Sequence, residues 1–279
     1  MNLHIAFSGG RTSAYMTKWI LENVSLLFNK TIVIFANTGQ EWESTLKFVN
    51  DCDTHFNFNT VWVEAIINPE KGVGTSHKIV NFNTASRNGE PFEAMIAKYG
   101  IPNRTWQTCS RELKANAVRS YLRSIGWKKR DYISAIGIRY DEIHRISSNC
   151  ARDRLVYPLA EWHKVDKLYV NTFWATQPFN LQLKEHQGNC KWCWKKSKRK
   201  LLTIANETPD VFDFPARMEF QYSKAGIVNR RERRVFFQNY TSTLELLEES
   251  KKPFDKFTDT FHEHLDSPNG CDESCEVFV

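Results

Sequence analysis

Leu3-His4-Ile5-Ala6-Phe7-Ser8-Gly9-Gly10-Arg11-Thr12-Ser13 is the stretch on which the fold turns. A short apolar run is followed at once by a Ser/Gly loop. Ala14 to Val24 comes next, with Met16, Ile20 and Val24 at four-residue steps. The first run predicts a strand and the second a helix. The pattern then repeats. Thr31 to Ala36 is β-branched and ends in Asn37-Thr38-Gly39, a turn signal, and Trp42, Leu46 and Val49 predict the helix after it. Thr60 to Ile67 predicts a further strand, and Asp131 to Ile138 predicts another that runs into a Gly-containing loop. Strand–loop–helix repetition of this kind specifies an α/β fold, a Rossmann-like parallel sheet with helices on both faces.

Asn68 to Asn103 is poor in periodicity and carries several Gly, Asn and Pro residues, so it reads as irregular surface loops or as an excursion over the site. Beyond about residue 160 the alternation fades. Asp166 to Trp174, Lys196 to Asn206 and Thr241 to Glu249 predict helices, and Ser267 to Val279 is a short acidic tail. The expected organisation is a nucleotide-binding α/β domain over 1–160 and a mainly helical extension over 161–279, packed on the same core.

A chain of 279 residues can bury a large core. No apolar run approaches the roughly 18 residues that a membrane span requires, and the N-terminus lacks the features of a secretory signal. A cytoplasmic location with no membrane partner is therefore expected. The net charge of +6 is modest, but Lys195-Lys196-Ser197-Lys198-Arg199-Lys200 and Arg230-Arg231-Glu232-Arg233-Arg234 are basic runs, readable as solvated faces or as phosphate-binding surfaces for tRNA or DNA.

The loop after the first strand has the composition of an anion site. Gly9 and Gly10 let backbone N–H groups approach phosphate oxygens, and the following helix adds its positive end. Ser8, Thr12 and Ser13 add hydroxyls, and Arg11 adds a fork suited to phosphate. Arg139, Asp141, Glu142 and Arg145 alternate in sign within one loop. They read either as a surface ion-pair cluster or as arginines for phosphate beside a carboxylate for Mg²⁺. His144 is the general-base candidate there, although a lone His is usually not catalytic.

These segments resemble a family. Ser8-Gly9-Gly10-Arg11-Thr12-Ser13 is similar to the pyrophosphate loop of the adenine nucleotide α-hydrolase (PP-loop) superfamily, whose fold is of the HUP type. Asn37-Thr38-Gly39-Gln40-Glu41 resembles its second-strand motif beside the adenosine. Cys109-Ser110-Arg111-Glu112-Leu113-Lys114 resembles the cysteine–basic segment of the branch containing the phosphoadenosine phosphosulfate (PAPS) reductases. Gly137-Ile138-Arg139-Tyr140-Asp141-Glu142-Ile143-His144-Arg145 resembles its loop over the phosphates. The likeness runs from about residue 3 to 205, and many phage-encoded chains belong to that branch. It implies nucleotide binding, to ATP with Mg²⁺ or to PAPS or adenylyl sulfate (APS), by Ser8 to Ser13, Asn37, Thr38, Gly39, Glu41, Gly137, Arg139 and Arg145. Arg11 stands where the superfamily often has Lys and Thr12 where it often has Asp. An arginine can hold phosphate but cannot act as a neutral amine. The C-terminal Glu-Cys-Gly-Leu-His signature of true PAPS reductases is absent, although the tail carries Cys271 and Cys275.

Seven cysteines are an odd number, and in a reducing compartment clustered cysteines are more often metal ligands or redox groups than bridges. Cys190-Lys191-Trp192-Cys193 reads as a redox dithiol, half of a metal site or a structural pair. The resemblance implies that Cys109 joins Cys190 and Cys193 around a [4Fe–4S] cluster, with the fourth iron open or closed by Cys150, Cys271 or Cys275. Nearby Lys191, Lys195 and Lys196 would favour the thiolates. A zinc site of Cys190, Cys193, Cys271 and Cys275 also satisfies ligand chemistry. Cys52, between Asp51 and Asp53, reads as structural, and Trp162, Trp174, Trp192 and Trp194 read as packing for the extension.

Three functions follow as expectations, with Arg11, Asp141, Glu142, Cys271 and Cys275 as catalytic candidates. The first is adenylation of a substrate by ATP followed by sulfur transfer, on a nucleic acid or a nucleotide, with a sulfur-donor protein as partner. The second is PAPS or APS reduction, in which a tail thiolate attacks sulfur and a reductant protein restores it. The third is a nucleotide-binding sensor or interaction protein without turnover.

Overall fold

The computed structural model describes residues 1–188, 190–226 and 234–258. Its first half alternates strands and helices: β1 (Asn2–Ala6), α1 (Arg11–Asn23), β2 (Thr31–Asn37), α2 (Glu43–Phe56), β3 (Val61–Ile66), β4 (Ser76–Val80) and α3 (Glu90–Tyr99). A π-helical stretch, Ser110–Asn116, runs into α4 (Ala117–Ser124) and is followed by β5 (Tyr132–Ala135), a 3-10 turn at Tyr140–Arg145, α5 (Cys150–Asp153) and β6 (Leu155–Val156). Helices α6 (Pro158–Glu161), α7 (Lys167–Ala175), α8 (Lys198–Glu207), α9 (Asp213–Tyr222) and α10 (Thr243–Ser250) complete the described chain.

The six strands form one sheet in the order β4-β3-β2-β1-β5-β6, parallel throughout except for β4, which runs antiparallel to β3. Strand β2 shows why the sheet is covered on both faces. Ile32 and Ile34 enter one core with Val63, Ala65, Phe92 and Leu113, while Val33 and Phe35 enter another with Leu3, Ile5, Met16 and Val49. A continuous apolar run is what a strand buried on both sides requires. Each such side chain contributes about 1.5–3 kcal/mol by leaving water. The architecture is therefore α/β, a mostly parallel six-stranded sheet flanked by helices, and compatible with a Rossmann-type arrangement. Residues beyond 161 share both cores: Trp174 packs into the α1/α2 side, and Trp192, Leu201 and Phe236 into the other. No described helix is long and apolar enough to cross a membrane.

The segment 68–103 departs from the loop reading. It holds an edge strand and a ten-residue helix. Strand β4, Ser-His-Lys-Ile-Val, is half exposed and pairs along one side only, so it lacks the apolar run that marks the inner strands. Its Lys78 forms an ion pair at 2.8 Å with Glu64, a fully buried carboxylate of β3. Helix α3 starts after Gly89, whose φ of 87° few other residues adopt.

The strand order reverses at β1: β2 and β3 lie on one side of it, β5 and β6 on the other. Open α/β sheets bind ligands in the crevice outside the carboxyl ends of the strands at such a switch point. The loop leaving β1 is Phe7 to Gly10.

Candidate nucleotide and cysteine site

Gly9 has φ +83°, and a Cβ there would stand 2.7 Å from Thr45 Cγ2 of α2. Both facts restrict the position to glycine. On the other flank, a Cβ at Gly137 would lie 3.1 Å from Ser13 Cα, so the β5 loop presses directly on the first turn of α1. The loop is tied by its own hydroxyls. Ser8 Oγ and Ser13 Oγ are 2.9 Å apart, the Ser8 N–H donates to Ser13 Oγ at 3.2 Å, and Ser13 Oγ donates to the Gly10 carbonyl at 3.0 Å. Helix α1 begins after Gly10 with no side-chain cap, so the positive end of a 13-residue helix is available to an anion. A cavity of about 500 Å³ lies against this loop, walled by Ser8, Gly9, Gly10, Glu41, Thr45 and Lys114. Most of that volume is open to solvent, and the enclosed part is only about 20 Å³, so the loop faces an open crevice.

Arg11 borders the cavity, but its fork is engaged elsewhere. Nε donates to Asn180 Oδ1 at 2.8 Å and Nη2 to the Leu181 carbonyl at 2.6 Å. Trp174 Nε1 donates to the Arg11 carbonyl at 2.9 Å. The helical extension thereby grips the start of α1. Arg139 is the guanidinium that reaches the loop: its Nη1 donates to Thr12 Oγ1 at 3.0 Å from a nearly buried position. Asp141 pairs with Arg139 Nε at 3.0 Å, while Glu142 lies 3.5 Å from Arg139 Nη1 and also pairs with Arg145. The alternating charges are thus joined as ion pairs, and they hold Arg139 against Thr12. His144 is exposed.

The turn after β2 forms the next wall. Glu41 folds back so that Oε2 accepts from the N–H groups of Thr38 at 3.0 Å and Gln40 at 3.2 Å, and the Thr38 hydroxyl donates to the same carboxylate at 2.9 Å. Asn37 donates to Glu64 Oε1 at 2.6 Å and accepts from the Gly39 N–H at 3.2 Å. Gly39 has φ +79°, and a Cβ there would meet Gly89 Cα at 3.0 Å.

Cys190 bridges to Glu41 in an isolated antiparallel pairing, with Sγ 3.8 Å from Glu41 Oε1 and 3.5 Å from Thr38 Oγ1. The Lys191 N–H donates to the Gln40 carbonyl at 2.9 Å, and Trp192 Nε1 to Gln40 Oε1 at 2.7 Å. Cys109, Cys190 and Cys193 line one cavity of about 370 Å³, together with Thr38, Lys114 and Lys195. Lys114 is common to this cavity and to the one at the Ser8 loop. It sits in the π-helical stretch. There burial pushes the Glu112 carboxyl up, but hydrogen bonds from Thr75, Arg111 and Asn116 outweigh it and hold the group below its ordinary value. π turns inside helices frequently mark functional positions. Among the described residues, no three His, Cys, Asp or Glu side chains stand close enough to hold a single metal ion. Cys271 and Cys275, and with them the proposed zinc set and the tail nucleophile, lie outside the described residues.

Lys196 is buried, and its ammonium donates to the Gly188 carbonyl and, at 3.0 Å, to the Cys190 carbonyl, so it clamps the backbone of the Cys-x-x-Cys loop. Trp174, Trp192 and Trp194 are buried as expected of packing residues, whereas Trp162 is partly exposed. Cys150 is half-buried beside α5, in a separate apolar group with Ile146. Cys52 is fully buried, and burial with Asp53 and Asp51 pushes its thiol far up. Motif reading missed Leu183, Lys184, Glu185 and Gly188 in the wall of the Ser8 cavity and Asn180 behind Arg11. Only their nearness in sequence to Cys190 pointed to them.

No family model matches the chain. Two uncharacterized proteins of Methanocaldococcus jannaschii are similar to it, at 28% identity over 142 residues and 23% over 225. Those matches cover 50% and 76% of this chain but only 24% and 46% of the archaeal proteins. An uncharacterized nin region protein of Escherichia phage lambda, ORF290, is 32% identical over 200 residues, which make up 71% of this chain and 67% of the phage protein. Likeness at that level over most of both chains reflects common descent, and this chain belongs to the family of the phage lambda nin region protein ORF290.

Proposed function

We propose that this chain is a PP-loop enzyme of the PAPS-reductase-like branch that binds MgATP against Ser8 to Ser13 and adenylates a substrate oxygen for replacement by sulfur. The observation that carries the reading is the shared wall: Lys114 borders both the Ser8–Gly10 cavity and the cavity lined by Cys109, Cys190 and Cys193. A lysine common to both cavities supports a reading in which nucleotide activation and thiol chemistry act side by side.

In the first step a substrate oxygen attacks the α-phosphorus of ATP. The new O–P bond forms as the bond to the β-phosphate oxygen breaks, and pyrophosphate leaves. In the second, sulfide attacks the activated carbon, the C–S bond forms, and the C–O bond breaks with its electrons on AMP. The N–H groups of Gly9 and Gly10 and the start of α1 cradle the phosphates, and Lys114 offsets the charge that builds on them. Arg139 holds Thr12 in place. Arg11, with its fork on Asn180 and Leu181, fixes the loop rather than binding phosphate. The Asn37–Glu41 turn borders the adenosine side.

The three thiols and two lysines around the second cavity suit a [4Fe–4S] cluster, whose width separates its thiolates further than one metal ion would. Such a cluster, held by Cys109, Cys190 and Cys193, would supply an acceptor or carrier for sulfur.

The test is ATP turnover in the presence of small-RNA or single-stranded DNA fractions and sulfide. Pyrophosphate and AMP should form together, and Gly9→Val should abolish both. Nucleotide binding without pyrophosphate release under any of these conditions would favour a sensor instead. Anaerobic purification with iron and acid-labile sulfide analysis tests the cysteine assignment separately, and Cys190→Ala should lose the iron.

A further inference from the structure

The basic run Lys195 to Lys200 is largely tied up within the molecule. Lys196 clamps the Cys190 loop, Lys198 pairs with Glu249 at 2.5 Å, Arg199 with Asp255 at 3.2 Å, and Lys200 with Glu185 at 3.7 Å. Positive charge is concentrated at a different place. At the amino ends of β5 and β6, on the opposite edge of the sheet from the Ser8 loop, lies a cavity of about 800 Å³ counting its open mouth. Arg119 and Arg123 of α4, Lys129 before β5 and Arg154 before β6 stand in its wall. Asp153 is the one carboxylate among its described lining residues, and it is already shared by Lys129 at 3.6 Å and Arg152 at 3.1 Å. Arg154 is aimed by a bond from Nε to the Tyr132 carbonyl at 2.8 Å. Arg123 is exposed and has no ion pair among the described residues. The rings of Trp127 and Tyr132, 5.8 Å apart and tilted by 34°, complete the wall. Burial raises the Tyr132 phenol, and the charges of Arg119 and Arg123 pull it back.

We propose that this cavity is a second ligand site, for a small phosphate-bearing compound such as a mononucleotide, separate from the Ser8 loop. Guanidinium forks and an ammonium match phosphate oxygens, and they outnumber the one carboxylate, which is itself neutralised. Trp127 and Tyr132 are themselves buried in the core behind the cavity, so its recognition rests on the cations rather than on stacking. The Ser134 hydroxyl, held at 3.0 Å by His4 Nδ1, is a fixed polar contact at the floor. The cavity's enclosed space of about 300 Å³ is at the lower end of small-molecule sites and suits a ligand no larger than a mononucleotide. The two sites sit at opposite ends of β1, roughly 17 Å apart along five residues of strand. One small molecule cannot fill both, and an occupant here acts as an effector rather than as substrate.

The experiment is isothermal titration of the full chain with ADP, compared with the double variant Arg123→Glu and Lys129→Glu, both exposed positions whose change leaves the core intact. The double variant should lose one class of ADP site, with Kd raised at least ~10-fold, and inorganic phosphate should compete for that class in the wild type. ADP binding at the Ser8 loop is a separate class that the double variant leaves unchanged, so its presence or absence judges the proposed function and not this site. An ADP isotherm identical in wild type and double variant would overturn the assignment. So would loss of single-stranded oligonucleotide binding in the double variant with every ADP class intact, since that would assign the surface to nucleic acid.

Discussion

The Glu41 carboxylate and the Cys190 thiol face one another across an antiparallel bridge, 3.8 Å from oxygen to sulfur. Glu41 also accepts from two N–H groups and a hydroxyl of its own turn, so one buried side chain shapes the end of β2 and touches the cysteine loop. Glu41→Ala leaves these donors buried without their acceptor. It should cost about 2–3 kcal/mol in urea denaturation, because hydrogen bonds to a charged group are worth about 1.5–3 kcal/mol. An unchanged urea midpoint would show that water replaces the carboxylate at no cost.

Gly9→Ala and Gly126→Ala separate steric fit from backbone strain. Both positions have positive φ, +83° and +85°, but a Cβ at Gly9 meets Thr45 Cγ2 at 2.7 Å whereas one at Gly126 meets nothing within 4 Å. Gly126→Ala should cost only the left-handed backbone penalty, about 1–2 kcal/mol. Gly9→Ala should cost more by about 1–3 kcal/mol, the usual range for overpacking, and should also weaken the ATP binding proposed above, which calorimetry measures. Equal losses at the two sites would mean that α2 moves aside freely.

His4 is fully buried, and burial lowers its pKa to about 3. Its unfolded counterpart titrates near 6.5, so between those values the unfolded chain binds the extra proton and stability falls as the pH falls. The slope should reach up to about 1.4 kcal/mol per pH unit from this one group. His77 and His163 are shifted the same way by partial burial, so the wild-type slope contains more than His4. The decisive comparison is His4→Asn, whose urea midpoints between pH 7 and pH 5 should vary less steeply than those of the wild type.

Thiol reactivity should divide the cysteines. Cys52 is fully buried with its thiol pushed up by burial and two aspartates, whereas Cys109 is half-buried at a cavity wall. The thiolate is the reactive form, so iodoacetamide at pH 8 should label Cys109 in the folded, iron-free protein and leave Cys52 unlabelled until denaturant is added. Mass mapping of labelled peptides checks this, and early labelling of Cys52 would contradict its burial.

Much of the sheet was legible because β1, β2 and β3 are buried on both faces and therefore read as mainly apolar runs, interrupted inside β1 by His4 and inside β3 by Glu64. Strand β4 was not, since an edge strand with one half-exposed face carries no such run, and Ser76 to Val80 looks polar in isolation. The loop of Ser8 to Ser13 was legible from composition and position together. The role of Arg11 was not, because its partners Asn180 and Leu181 lie about 170 positions away and belong to no motif. The ion pairing of Lys198 and Arg199 was not legible either, because Glu249 and Asp255 lie more than about 50 positions away. Conversely, Arg119, Arg123, Lys129 and Arg154 are scattered over 36 positions and form no run, yet the turns around β5 gather them at one cavity.

The grip of Asn180, Leu181 and Trp174 on Arg11 makes the helical extension part of the scaffold of the Ser8–Ser13 loop. A chimera joined near residue 160, with a relative's second half grafted onto this first half, would inherit the glycines but lose the clasp that holds them. The two halves are therefore a single unit of inheritance: gene exchange can replace them together, while a breakpoint between them separates a lock from its keeper.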